Sequence, residues 1–302
     1  VGGSLAASST GGGVTQSGGP MIVTGNATIG AGTGTVTLAN PDNEFGGSVG
    51  LSGAGATLVD STPLTLGTTS LGGGGLTVTS LGDITQAPGS TIASAGTTAL
   101  TVNGSGGINL SGANDFGGTV NATSVALDSN GQPQVVNGQP VTQPINGSVA
   151  IADTNALTLG PLNTTGSLAT SAGGALNLGT TQVAGNFAAS SGGDLNLSTT
   201  TVGGNMATTS SGAANLGTAT VTGNLAANSS GTLNLGTATV GGGLAAQSTS
   251  GGITQSGPLN VTQASVLSAP SGAVELGQSN TFGQPIALSA AKADVQAAGN
   301  LQ

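Results

Sequence analysis

The chain contains no cysteine, histidine, tyrosine, tryptophan or arginine, and Lys292 is its only cation. Each absence closes a class of function. Without cysteine there is no disulfide framework and no thiol chemistry, a usage compatible with a secreted protein that does not rely on disulfides. General acid–base or nucleophilic catalysis needs a group held near neutral pKa. Only hydroxyls, Lys292 and ten carboxylates remain to supply it. Those acids are scattered from Asp42 to Asp294, and the one close pair, Asp42 and Glu44, reads as a solvated turn beside Phe45. The expectation is therefore no enzyme, no cofactor and no metal site. Gly192-Gly193-Asp194 is only a faint echo of the tandem calcium-binding nonapeptide. A net charge of −9 with one cation argues against nucleic acid, whose phosphates are met by Lys and Arg. No apolar run approaches the length of a membrane-spanning helix, and no signal-peptide pattern opens the chain.

What is present is glycine, 58 of 302 residues, with abundant Ser and Thr and an apolar complement dominated by Ala, Val and Leu. So little charge suggests disorder at first sight, but a strict period argues otherwise. From 157 to 246 one pattern returns every 19 residues: Leu159, Leu178, Leu197, Leu216 and Leu235; Thr164, Val183, Val202, Val221 and Val240; Leu168, Phe187, Met206, Leu225 and Leu244. Five copies in phase mean stacked, equivalent units. Val1 to Gly18 also matches Val240 to Gly257 at a constant offset, so the chain starts in mid-pattern, as a segment of something longer would.

Three further blocks recur. One is Val14-Thr15-Gln16-Ser17-Gly18, echoed at Ile84-Thr85-Gln86 and Ile253-Thr254-Gln255-Ser256-Gly257. The second is Asn43-Glu44-Phe45-Gly46-Gly47, echoed at Asn114-Asp115-Phe116-Gly117-Gly118 and at Asn280-Thr281-Phe282-Gly283. The third runs from Asp60 to Gly67 and again from Asp153 to Gly160. Within the repeats, runs such as Leu176-Asn177-Leu178 and Leu195-Asn196-Leu197 alternate apolar and polar, the period of a half-buried strand, with Gly-rich turns between them. The chain reads as all-β. Short strands in phase from copy to copy pair most economically in parallel with their equivalents one turn later, giving a parallel β-helix with apolar columns inside. At 19–21 residues per coil and about 4.8 Å per coil, the expectation is roughly 15 coils in one continuous segment, 1–302, forming a rod about 70 Å long. An antiparallel sandwich or barrel leaves the equal spacing unexplained.

Residues 128–147 break this period. Pro133, Pro140 and Pro144 bar the stretch from a central strand, and Asn137-Gly138 is a strong hairpin signal. It reads as a protruding hairpin or loop, and Asp128, Asn130, Gln134, Asn137, Gln139 and Gln143 are the candidate ligand contacts, for a carbohydrate or a protein. Two ladders complete the surface. Thr199/Thr201, Thr218/Thr220 and Thr237/Thr239 could order water against ice, or simply suit an exposed strand. Asn177, Asn196, Asn215 and Asn234 suggest amides hydrogen-bonded from coil to coil.

The modules Ile253-Thr254-Gln255-Ser256-Gly257, Asn114-Asp115-Phe116-Gly117-Gly118, Ala156-Leu157-Thr158-Leu159-Gly160 and Leu233-Asn234-Leu235-Gly236 resemble repeats of filamentous-haemagglutinin-like exoproteins. These are bacterial surface adhesins exported by two-partner secretion. The resemblance implies a right-handed parallel β-helix serving as a shaft, and an outer-membrane transporter as partner during export. It implies a secreted, cell-surface location, a role in attachment, aggregation or biofilm, and a host or neighbouring-cell receptor or glycan as a further partner. Asn40-Pro41-Asp42 does not match the Asn-Pro-Asn motif of the secretion domain in that family, and with no His, Cys or Tyr the haem ligation ascribed to some relatives is not carried over. With a single Lys and no Arg, trypsin-like proteases find almost nothing to cut.

Overall fold

The computed structural model describes residues 1–298. These fall into two compact units, Val1–Thr165 and Gly166–Gln302. Among the described residues every regular element is a strand, so no helix is long and apolar enough to cross a membrane. The strands stack in parallel as a β-solenoid, with about 15 turns along the chain.

In the first unit Leu5 pairs with Ala27 and Ala27 with Val49, a step of 22 residues. Val36, Ala56 and Leu76 follow at 20, Thr98 and Val120 at 22, and Ile84 to Ile108 at 24. These coils run to 24 residues, longer than the expected 19–21. Because register within the strands is kept, the additional residues lie in the connecting turns. Val36, Leu38, Leu58, Leu76, Val78, Ile84, Leu100 and Ile108 fill the interior. From Ile108 to Val149 the step is 41 residues, and the excess is the insertion.

The second unit keeps the 19-residue step. Phe187, Met206, Leu225 and Leu244 stack in register, as do Val183, Val202, Val221 and Val240. Beyond Leu244 the step to Ser265 and then Ile286 is 21. Strand alternation sorts the side chains: in Phe187–Ser191 the first, third and fifth residues are buried and the two between are exposed. The inward triplets are thus Phe187-Ala189-Ser191, Met206-Thr208-Ser210, Leu225-Ala227-Ser229 and Leu244-Ala246-Ser248.

The serine column is an interior feature that hydropathy hides. Ser191 donates to the carbonyls of Gly174 (2.9 Å) and Asp194 (2.8 Å). Ser210 donates to Gly193 and Ala213, Ser229 to Gly212, and Ser248 to Gly231. Each hydroxyl therefore ties its strand to a turn of the preceding coil, satisfying carbonyls that would otherwise be buried without a donor.

Thr200 and Thr208 are also buried, but their hydroxyls have no hydrogen-bond partner. Thr208 lies between Ala189 and Ala227, and Thr200 against Ala219. A buried hydroxyl without a partner is destabilising, and valine has nearly its shape. Thr208→Val is therefore expected to raise stability by about 1 kcal/mol, seen as a higher urea midpoint. A lower midpoint would show that the hydroxyl has a use.

Candidate functional site

The recurrent sequence blocks converge on one polar cluster, built three times. Gln16 and Asn43, 27 residues apart, form a reciprocal amide pair: Gln16 Nε2 donates to Asn43 Oδ1 at 2.7 Å, and Asn43 Nδ2 to Gln16 Oε1 at 3.0 Å. Asn43 Oδ1 also accepts from Met21 N, and its Nδ2 donates to Leu38 O. Gln86 and Asn114 repeat this at 2.7 and 3.1 Å, with Ile92 N and the carbonyls of Leu110 and Ala152 completing the shell. Gln255 and Asn280 repeat it at 2.8 and 2.9 Å, with Leu259 N and the carbonyls of Leu276 and Gln296. All three asparagines are wholly buried. A buried amide is tolerated when its donors and acceptor are satisfied, and here one asparagine joins its own coil to both neighbours.

The third block docks on the other side of the first two clusters. Asp60 Oδ2 accepts from Phe45 N, while Oδ1 accepts from the backbone and hydroxyl of Thr62. Asp153 holds Phe116 N at 2.7 Å and Asn155 N at 2.6 Å in the same way. In the third copy Ala297 stands at the equivalent register position, paired with Asn280.

Burial raises the pKa of both Asp60 and Asp153 above the ordinary 3.8, against the hydrogen bonds that lower it. The folded chain thus binds these protons more tightly than the unfolded chain. The stability they contribute is complete below about pH 3.8, and is lost as pH rises through the raised folded value. Denaturant midpoints of the first unit are expected to fall from that acid window toward neutrality, and Asp60→Asn with Asp153→Asn should flatten the profile. A midpoint that rises with pH over that window would contradict this.

The segment 128–147 forms a small antiparallel appendage on the first unit. Val135–Val136 pairs with Gln139–Pro140 around a turn in which Asn137 and Gly138 have φ of 52° and 77°, the backbone of a type I′ hairpin. At the root, Ser124 and Val125 pair antiparallel with Gln143 and Thr142. The six candidate contacts divide into two groups. Asp128 closes a turn by accepting from Asn130 N and Gln132 N at 2.8 and 2.9 Å, bonds that hold its carboxyl below the usual carboxylate value, that of Gln132 most. Gln134 donates to Leu127 O, and Gln143 to Ser124 Oγ and Val125 O. These three build the loop. Asn130, Asn137 and Gln139 are exposed, beside Val135 and Val136 at 57% and 60% exposure. The valines are contacts the sequence reading passed over, because alternation alone does not say that both faces of a lone hairpin meet solvent.

The Thr ladder is in register, with Thr199, Thr218 and Thr237 in one column and Thr201, Thr220 and Thr239 in the other. The Asn ladder does not run as expected. Asn196 donates to Asn177 Oδ1 at 3.0 Å, but Asn215 and Asn234 accept from Gly217 N and Gly236 N of their own coil. Those two glycines adopt φ of 58° and 66°, which the Ser198 of the earlier copy does not readily do.

Beneath the insertion, turns of successive coils enclose a cleft of about 460 Å³ lined by Asp83, Thr85, Ser105, Asn109, Asn146 and Ser148 among others. Asp83 Oδ1 accepts from Gly107 N at 2.7 Å, and Asn146 Nδ2 donates to Gly104 O at 3.0 Å. No sequence signal marks these residues, which lie in three different turns.

No curated protein and no solved structure matches the chain. A family model described as repeats of unknown function (DUF5649) matches residues 1–52, 53–123 and 222–289, well over half of the length. Each matched segment contains one Gln–Asn pair: Gln16 with Asn43, Gln86 with Asn114, Gln255 with Asn280. Most of the 19-residue repeats lie outside the matches. A repeat organised around one buried amide pair, occurring three times in order, places this chain in the DUF5649 repeat family.

Proposed function

We propose that the chain is a shaft segment of a secreted bacterial cell-surface adhesin, exported through an outer-membrane transporter of the two-partner type. The role is non-catalytic: attachment, aggregation or biofilm formation at a distance from the cell. One observation carries the reading. The strongly recurrent blocks are spent on holding coil to coil, through the Gln–Asn pairs, the buried aspartates and the interior serines. What repeats is what adds length. The order of the modules, which resembles that of filamentous-haemagglutinin-like exoproteins, supports the export route. The test is to express the parent protein with and without a co-expressed transporter, then measure surface exposure and cell–cell aggregation. Retention inside the cell, or aggregation unaffected by removing the protein, would sink it.

A second reading is favoured by the exposed valines of the hairpin. Here the 128–147 appendage contacts a partner directly. Deleting it should leave the coils folded and abolish attachment; unchanged attachment leaves the shaft role alone.

A further inference from the structure

We infer that the cleft at the root of the insertion is a binding site for a neutral saccharide of one or two rings. The chemistry of its wall selects the ligand class. Two amides (Asn109, Asn146), three hydroxyls (Thr85, Ser105, Ser148) and one carboxylate (Asp83) line it. No cation is among them, so phosphate, sulfate and carboxylate ligands have no counter-charge. The wall is too polar for an apolar guest. It mixes donors and acceptors, and amides and hydroxyls offer both, which matches ligand hydroxyl groups that are themselves both.

The geometry adds to this. The Asp83 carboxylate is fixed through one oxygen by Gly107 N, which leaves the other to accept from a sugar hydroxyl. Asn146 is held through its Nδ2 on Gly104 O, which leaves its carbonyl oxygen for the ligand. Asn109 and Thr85 are outward neighbours in register on adjacent strands. The groups are thus held before a ligand arrives, and the volume lies in the range of small-molecule sites. The site does not depend on the chain being a shaft or on where it resides.

The test uses the whole chain and isothermal titration with maltose, cellobiose, lactose and chitobiose, with a heparin disaccharide and calcium chloride as controls. At least one neutral disaccharide should bind saturably with a Kd of about 1 mM or tighter. Asn109→Ala should weaken it about tenfold without moving the thermal unfolding midpoint, and Asp83→Asn should also weaken it. Absence of binding by all four neutral sugars overturns the inference. So does binding confined to the heparin disaccharide or to calcium, or binding unchanged in both variants.

Discussion

Deleting Ala207 alone should unfold the coils around it, whereas deleting the nineteen residues 206–224 should leave the second unit folded and one coil shorter. In the long deletion Asn205 is followed by Leu225 in place of Met206, and Phe187, which stacks on Met206, finds Leu225 in register instead. The single deletion shifts Thr208 and Ser210 by one place, and in a strand one place is the other face. Ser210 then no longer reaches the carbonyls of Gly193 and Ala213, and Thr209 is driven inward. The cost is expected at about 4 kcal/mol or more, the size reserved for disrupted cores. Far-ultraviolet circular dichroism and urea unfolding distinguish the two deletions. Equal loss of structure in both would mean that the coils are not interchangeable.

The second large effect is at Asn114. Asn114→Asp keeps the acceptor for Ile92 N and Gln86 Nε2 but replaces the Nδ2 donor by an oxygen. That oxygen faces the carbonyls of Leu110 and Ala152 and the Gln86 Oε1, all acceptors. An unpaired buried carboxylate either costs several kcal/mol or takes up a proton. The variant should lose roughly 3 kcal/mol at neutral pH and recover part of it in acid. Asn114→Ala should lose about 2 kcal/mol with no added pH dependence, since it orphans Ile92 N without introducing charge. If both variants unfold like the parent chain, the amide pair is not what joins these coils.

The strands and their parallel stacking were legible because period-2 alternation inside a 19-residue period leaves few other ways to bury Phe187, Met206, Leu225 and Leu244 together. The hairpin was legible from Asn137-Gly138, a dipeptide with its own backbone preference. The Gln–Asn cluster was half legible. Its blocks were visible as repeats, but nothing local says that Asn43 reaches Gln16 on the preceding coil, and hydropathy assigns asparagine to the surface. The same bias hid Ser191 and its equivalents. Coil length in the first unit escaped because turn residues carry no period of their own. The cleft escaped because Asp83, Asn109 and Asn146 share nothing but a place in the fold.

The interior serines have a mechanical consequence. Like the strand-to-strand bonds, each Ser–carbonyl bond of the second unit links one coil to the one before it, so these bonds lie along the stacking direction. Tension applied along that direction loads the bonds of the outermost coil first, and they open like a zipper instead of sharing the load in shear. Each coil that yields would pay out 19 residues, about 65 Å of chain, before the next is stressed. A protein tethered under flow and built this way lengthens in equal increments under load, and dissipates work at each one while the remaining coils stay folded.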